Sequence, residues 1–218
     1  MVEIISPKSM SFTDYLFGTL LHPRRTCDRL LQDERRLKFG FFAMLISVVI
    51  YTLVYIFLTM GGGAPSSFTP WLNVPKEVYY FYNRFWLAPS MLGCWILAAG
   101  VAYLLSRLVG GKGSYDDTLG VFGLGITVAT FFSALHDLTD SFLSAIGLLD
   151  QRWYEVQLNT PTIWRTNLYI LYGIALVLLF VYLIIGVSKS QKIKFAHALW
   201  IGSFAAIVYQ VVFMVFNR

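Results

Sequence analysis

Residues 168–187 read LYILYGIALVLLFVYLIIGV, twenty positions without one charged or strongly polar side chain. A helix needs about 20 largely apolar residues to cross the hydrocarbon core of a bilayer. Lipid offers backbone groups no hydrogen-bonding partner, so such a segment must be helical. Working outward, four more stretches read the same way: about 39–60, 85–106, 117–138 (its apolar run starting at Leu119) and 195–216. The expected fold class is therefore all-α, a polytopic integral membrane protein with five transmembrane helices. Composition agrees: 57% of the 218 residues are apolar, only 13% are charged, and mean hydropathy is +0.63. A soluble domain carries about 25% charged residues. The modest net charge of +5 gives no case for a nucleic-acid partner.

Lysine and arginine placement predicts direction, because positive residues stay on the cytoplasmic side. Residues 1–38 hold Lys8, Arg24, Arg25, Arg29, Arg35, Arg36 and Lys38. The second and fourth connections add Arg107, Lys112, Lys189, Lys192 and Lys194, giving that side twelve of the 17 positives. Lys76, Arg84, Arg152, Arg165 and Arg218 fall on the other side. The N-terminus is expected in the cytoplasm and the C-terminus outside or in a lumen. The chain divides into a basic amphipathic segment, 1–38, and a five-helix membrane domain, 39–218. Phe12, Tyr15, Leu16, Leu20, Leu21, Leu30 and Leu31 among five arginines suit a segment lying on the inner leaflet, or else one docked on the connections. His22-Pro23 should break it in two. No cleavable signal peptide is expected, since the first apolar run follows this charged segment. Cys27 and Cys94 should sit at different depths and stay unbridged, Cys27 being a free thiol or a lipidation site.

The two external connections carry Trp71, Tyr79, Tyr80, Tyr82 and Trp86, then Trp153, Tyr154 and Trp164, expected along the outer headgroups. Small residues four apart allow helices to approach closely in lipid. Span two has Ser90, Cys94, Ala98, Ala102 and Ser106; span three has Gly125, Ala129 and Ser133; span five has Ala198, Gly202 and Ala206. This places spans two, three and five at the centre and span four towards lipid. The same ridges would also serve a homo-oligomer or another membrane protein.

Ionisable residues within a span default to a functional hypothesis. His136, Asp137 and Asp140 form the most suspicious group, with His136 and Asp140 on one helix face. A span entering near Leu119 reaches the outer interface near Leu138, so the group reads as a polar cap where the helix leaves the core. A lateral ion path or metal site, and catalysis, remain the alternatives. Phe142 to Leu149 would then form a short outer-surface helix. His197 reads as an interfacial residue, and Gln210, deep in span five, as interhelical hydrogen-bonding glue. No Ser/His/Asp set, Cys/His pair or thiolate metal spacing is present. No catalytic, cofactor-binding or metal residue is therefore assigned, and no enzyme activity or cofactor is expected.

Residues 110–125, GGKGSYDDTLGVFGLG, invite a phosphate-loop reading that fails. A Walker loop needs Lys followed by Ser or Thr after a strand, but Gly113 follows Lys112 and a membrane span precedes it. The dinucleotide fingerprint fails at Asp116. Instead Gly110 and Gly111 end span two, and Ser114 with Asp117 has capping-box spacing. Asp116 and Asp117 complement a positive helix N-terminus, and the later glycines begin a packing face. Gly110, Gly111, Gly113, Ser114, Tyr115, Thr118 and Leu119 fit a G-G-x-G-[ST]-[YF]-x-x-T-L loop between spans two and three. With Leu21-His22-Pro23-Arg24 ahead of span one, this resembles the Yip-domain family of Ypt/Rab-interacting membrane proteins across nearly the whole chain.

The resemblance implies a five-helix membrane domain, and for eukaryotic members vesicle traffic between endoplasmic reticulum and Golgi with small-GTPase partners. Those members have a long cytoplasmic N-terminal region. Only residues 1–38 precede span one here, a departure that puts GTPase binding in doubt and suggests a prokaryotic-type relative. The location is then the cytoplasmic membrane, or the endoplasmic reticulum or Golgi in a eukaryote. The function expected is a non-enzymatic scaffold or accessory subunit acting on membrane partners or on the bilayer. The alternative is a small transporter or channel with a polar path near His136, Asp137 and Asp140. Gly110 to Thr118, Asp117 included, would be its cytoplasmic contact point.

Overall fold

The structure, a computed structural model, describes residues 10–65 and 74–217; Lys8, Trp71 and Arg218 lie outside them. Every element among the described residues is helical: α1 Phe12–Leu21, α2 Pro23–Leu30, α3 Arg36–Met60, α4 Tyr79–Leu108, α5 Tyr115–Ala145, α6 Gln151–Asn159, α7 Ile163–Gln191 and α8 Phe195–Phe216. A single 3-10 turn, Lys76–Val78, leads into α4. Helices α3, α4, α5, α7 and α8 are long and apolar enough to cross a membrane.

The long helices outrun their apolar spans. At 1.5 Å per residue the 31 residues of α5 measure about 46 Å, against a hydrocarbon core of about 30 Å. Apolar composition marks only the part that must cross lipid; the helix continues wherever it still has protein to pack on. α5 thus runs unbroken through Ala145, so no separate helix forms over 142–149, and the short far-end helix is α6. Pro89 likewise falls inside α4 instead of in a first turn.

Local signals set the breaks. Ser11 and Asp14 form a capping box that starts α1, and His22 separates it from α2, whose first residue is Pro23. The α1–α2 pair then docks at one end of the bundle. Tyr15, Cys27 and Leu30 pack with Phe39 and Ala43 of α3, Val121 and Leu124 of α5 and Ile185 of α7. Lys189 of α7 reaches Asp28 at 2.8 Å. This basic end also holds residues 109–114 and 192–194, while residues 61–65, 74–78 and 146–162 belong to the far end.

Helices α3, α4, α8, α7 and α5 close a ring in that order, with α4 also touching α5 across it. α5 is the most buried, because α1 and α2 cover its remaining face near the basic end. The small-residue ridges of spans two, three and five are buried, yet span four is not merely lipid-facing. Its Tyr182 fills the space at Gly125, where an added Cβ would come within 2.9 Å, and its Ile184 fills that at Gly202. A ridge of small residues is a slot for a neighbour's large ones, so the large-residue helix belongs beside it. α8 is instead the least buried span. At the α3–α5 crossing backbone meets backbone, and a Cβ on Gly40 would stand 2.6 Å from the Gly120 carbonyl.

Candidate functional site

The loop between α4 and α5 is built into the bundle. Gly110 takes the left-handed conformation (φ +85°), letting Gly111 N–H donate to Ser106 O at 2.8 Å and Gly110 N–H to Arg107 O at 3.3 Å. That pair of bonds is a Schellman closure, satisfying carbonyls that a helix end leaves bare. Arg107 donates from Nη1 to Gly111 O and from Nη2 to Gly113 O, at 2.9 and 3.0 Å. Gly113 lies so close to the Ser190 carbonyl that a Cβ there would collide with it. Ser114 Oγ accepts from Asp117 N–H at 3.0 Å, and Asp117 Oδ2 accepts from Ser114 N–H at 2.9 Å, completing the capping box. The second oxygen of Asp117 takes Arg36 Nε at 2.5 Å. Tyr115 donates to Ile96 O at 2.9 Å.

The fulcrum of this end is a residue that sequence reasoning missed. Gln191, fully buried at the end of α7, donates from Nε2 to Thr118 Oγ1 at 2.7 Å and to Ser114 O at 3.1 Å. Its own carbonyl accepts from Lys112 N–H at 3.0 Å. Thr118 Oγ1 and Ser190 Oγ are also within hydrogen-bonding distance, at 3.2 Å. Gln191 follows Thr118 by 73 positions, and no local signal joins them.

The far end of α5 carries different chemistry. His136 is 6% exposed, with Nδ1 3.0 Å from Asp137 Oδ1 and 3.9 Å from Asp140 Oδ1. A carboxylate facing Nδ1 places the proton there, leaving Nε2 to accept from Tyr154 O–H at 2.9 Å. Tyr172 of α7 donates to Asp137 Oδ2 at 2.6 Å. Burial, reinforced by Asp140 and Asp137, pushes the Tyr154 phenol well above its ordinary range, so it stays a donor at any physiological pH. Tyr154 is itself 2% exposed, and Tyr79 and Tyr80 are buried too, so these three are not headgroup aromatics. α6 is amphipathic: Gln151, Tyr154 and Glu155 turn inwards while Trp153 and Val156 turn out. Glu155 Oε1 accepts from Tyr80 O–H at 2.7 Å. His136 is therefore covered by Tyr154 of α6, while Asp137 and Asp140 stay part-exposed beside it.

A polar seam descends from it between α3 and α5. Tyr51 and Ser133 share a bond of 2.7 Å, and Ser47 donates to Thr127 at 3.1 Å. Asp137 to Thr127 covers ten residues, about 15 Å, or half the hydrocarbon thickness. Below Thr127 the seam ends at Met44 and then at the Gly40–Gly120–Gly123 crossing, where backbone fills the space. His136 Nδ1 and one oxygen each of Asp137 and Asp140 lie within 4.8 Å of one another, a spacing that suits a divalent cation, and Asp140 Oδ1 accepts no hydrogen bond.

Gln210 is not interhelical glue within this bundle: it is partly exposed and its side chain makes no hydrogen bond among the described residues. His197, also partly exposed, sits in the first turn of α8. Cys27 and Cys94 are unbridged and buried, and burial, then the neighbouring Asp28, pushes the Cys27 thiol up to about 12. A thiol so held presents no thiolate to react.

Compared with known families, residues 17–216 match the model of the Yip1 domain. No curated protein and no solved structure matches. The chain therefore belongs to the Yip1 domain family, as an integral multi-pass membrane protein.

Proposed function

We propose that this Yip1-domain protein is a non-enzymatic membrane scaffold that works by packing against another membrane helix, foremost a second copy of itself. Gln210 carries the reading. It lies 15 positions after Phe195, about 22 Å along α8, at a depth that lipid would occupy. An amide left unsatisfied in hydrocarbon costs several kcal/mol. Ser203, seven residues earlier and so on the same face, is also partly exposed and makes no hydrogen bond among the described residues. An amide offers both a donor and an acceptor, so two copies about a two-fold axis satisfy each other. The test is extraction into native nanodiscs: wild type emerges as a dimer and Gln210→Leu as a monomer with unchanged helix content. Wild type emerging as a single chain without companions removes the reading.

The same proposal orients the basic end, α1–α2 included, towards the cytoplasm, on the strength of its twelve positives. In a prokaryote this means the cytoplasmic membrane. A cysteine placed at Arg218 then reacts with an impermeant reagent from outside only.

A second reading, a cation path, is favoured by the His136–Asp137–Asp140 spacing and the seam below it. Asp137→Asn with Asp140→Asn then abolishes cation flux into liposomes. The closed crossing at Gly40 and Gly120 ranks this reading second.

A further inference from the structure

We propose that the α1–α3 groove at the basic end binds one anionic phospholipid from the adjoining leaflet. The groove has a volume of about 590 Å³ and opens outward. Its wall includes Arg35, the residue that precedes α3, and Lys38, Phe42, Ile46 and Val49 of α3, with Phe12 of α1 across the mouth. These positions step by three and four, so they form one helix face. From Lys38 to Val49 is eleven residues, about 16 Å, against about 15 Å for the hydrocarbon depth of one leaflet. Phe42, Ile46 and Val49 are all exposed, an apolar track long enough for one acyl chain.

The charges sit at the end of that track where a headgroup lies. Lys38 reaches over the Phe42 ring with Nζ 5.6 Å from its centroid, and Arg35 covers Phe39 at 4.8 Å. Asp33 accepts from Nε and Nη2 of Arg35, at 3.1 and 2.9 Å, which leaves Nη1 without a protein partner among the described residues. Two cations against that one carboxylate give the mouth a net positive charge. A phosphodiester fits the guanidinium edge and the ammonium, and a headgroup with no cation of its own avoids repulsion from them. The track selects a lipid over a free phosphate, because only a lipid covers Ile46 and Val49. The site rests on the five-span membrane fold and stands whether or not the protein dimerises.

The test uses the full chain in vesicles of phosphatidylcholine and phosphatidylglycerol, extracted gently and weighed by native mass spectrometry. Wild type retains phosphatidylglycerol in excess of its share of the vesicle. Lys38→Gln lowers that retention about fivefold and Lys38→Glu further, with phosphatidylcholine unchanged. Ile46→Trp, which fills the track and leaves the charges alone, lowers retention of the same lipid, and added inorganic phosphate displaces none of it. Retention in proportion to vesicle composition, or unaltered by Lys38→Glu, overturns the proposal. So does displacement by inorganic phosphate, which would make the mouth a plain anion site.

Discussion

α5 carries two aspartate pairs, Asp116–Asp117 and Asp137–Asp140, with Asp117 and Asp137 about 30 Å apart along one helix. At the basic end Asp117 has every oxygen engaged by the cap and by Arg36, and its surroundings are backbone packed on backbone. At the far end Asp137 and Asp140 face a histidine and two tyrosines, and one oxygen of Asp140 accepts nothing. The same residue type serves fixation at one end and is available for chemistry at the other. What differs is the partner: helix-terminal N–H groups and an arginine consume a carboxylate's capacity, whereas an imidazole and a second carboxylate leave some unspent.

Substitutions at the two ends should therefore differ in size and kind. Gly113→Val puts a side chain into the Ser190 carbonyl and should cost about 3 kcal/mol or more, read as lost folded protein on detergent-solubilised gel filtration. Gln191→Leu strips donors from Thr118 and Ser114 and should cost about 2 kcal/mol in thermal unfolding. At the far end Asp140→Asn should leave stability within about 1 kcal/mol of wild type, since it removes a part-buried carboxylate whose inner oxygen is unsatisfied. If that end holds a divalent cation, the variant also loses any cation-dependent rise in melting temperature. Equal losses at both ends would erase the distinction.

Two smaller effects probe the basic end. Arg35 hydrogen bonds hold the Asp33 carboxyl below the ordinary carboxylate range. A depressed folded value means that its stabilisation is present above about pH 3.9 and lost as pH falls through the lower folded value. Hydrogen exchange should thus find α1–α2 loosening below about pH 4 and unchanged between pH 5 and 8. Lys192 ends α7 with φ +55°, where a side chain is strained. Lys192→Gly should raise stability by about 1 kcal/mol.

Much of this was legible in the sequence. The five spans, the capping box at Ser114, the break at His22-Pro23 and the family loop all rest on local patterns, which a sequence displays directly. Gln191, Arg36 and Tyr172 rest on partners 35 or more positions away, and nothing adjacent to them announces the contact. The inward turn of Tyr154 was hidden because an aromatic beside a span looks the same whether it meets headgroups or a buried histidine. Gln210 was expected to bond between helices of the bundle, but its side chain is part-exposed and finds no partner there, which its position in the sequence alone does not reveal.

The scaffold account depends on that residue, and a disulfide trap in native membranes tests it most directly. Cys27 and Cys94 are buried, so an introduced thiol on α8 should report alone. Ser203→Cys keeps Gln210 and shares its face; Phe204→Cys lies 100° further round the helix. The account predicts a cross-linked dimer for Ser203→Cys, none for Phe204→Cys, and loss of the dimer when Gln210→Leu is added. No dimer at Ser203, or equal dimer at both positions, would contradict it.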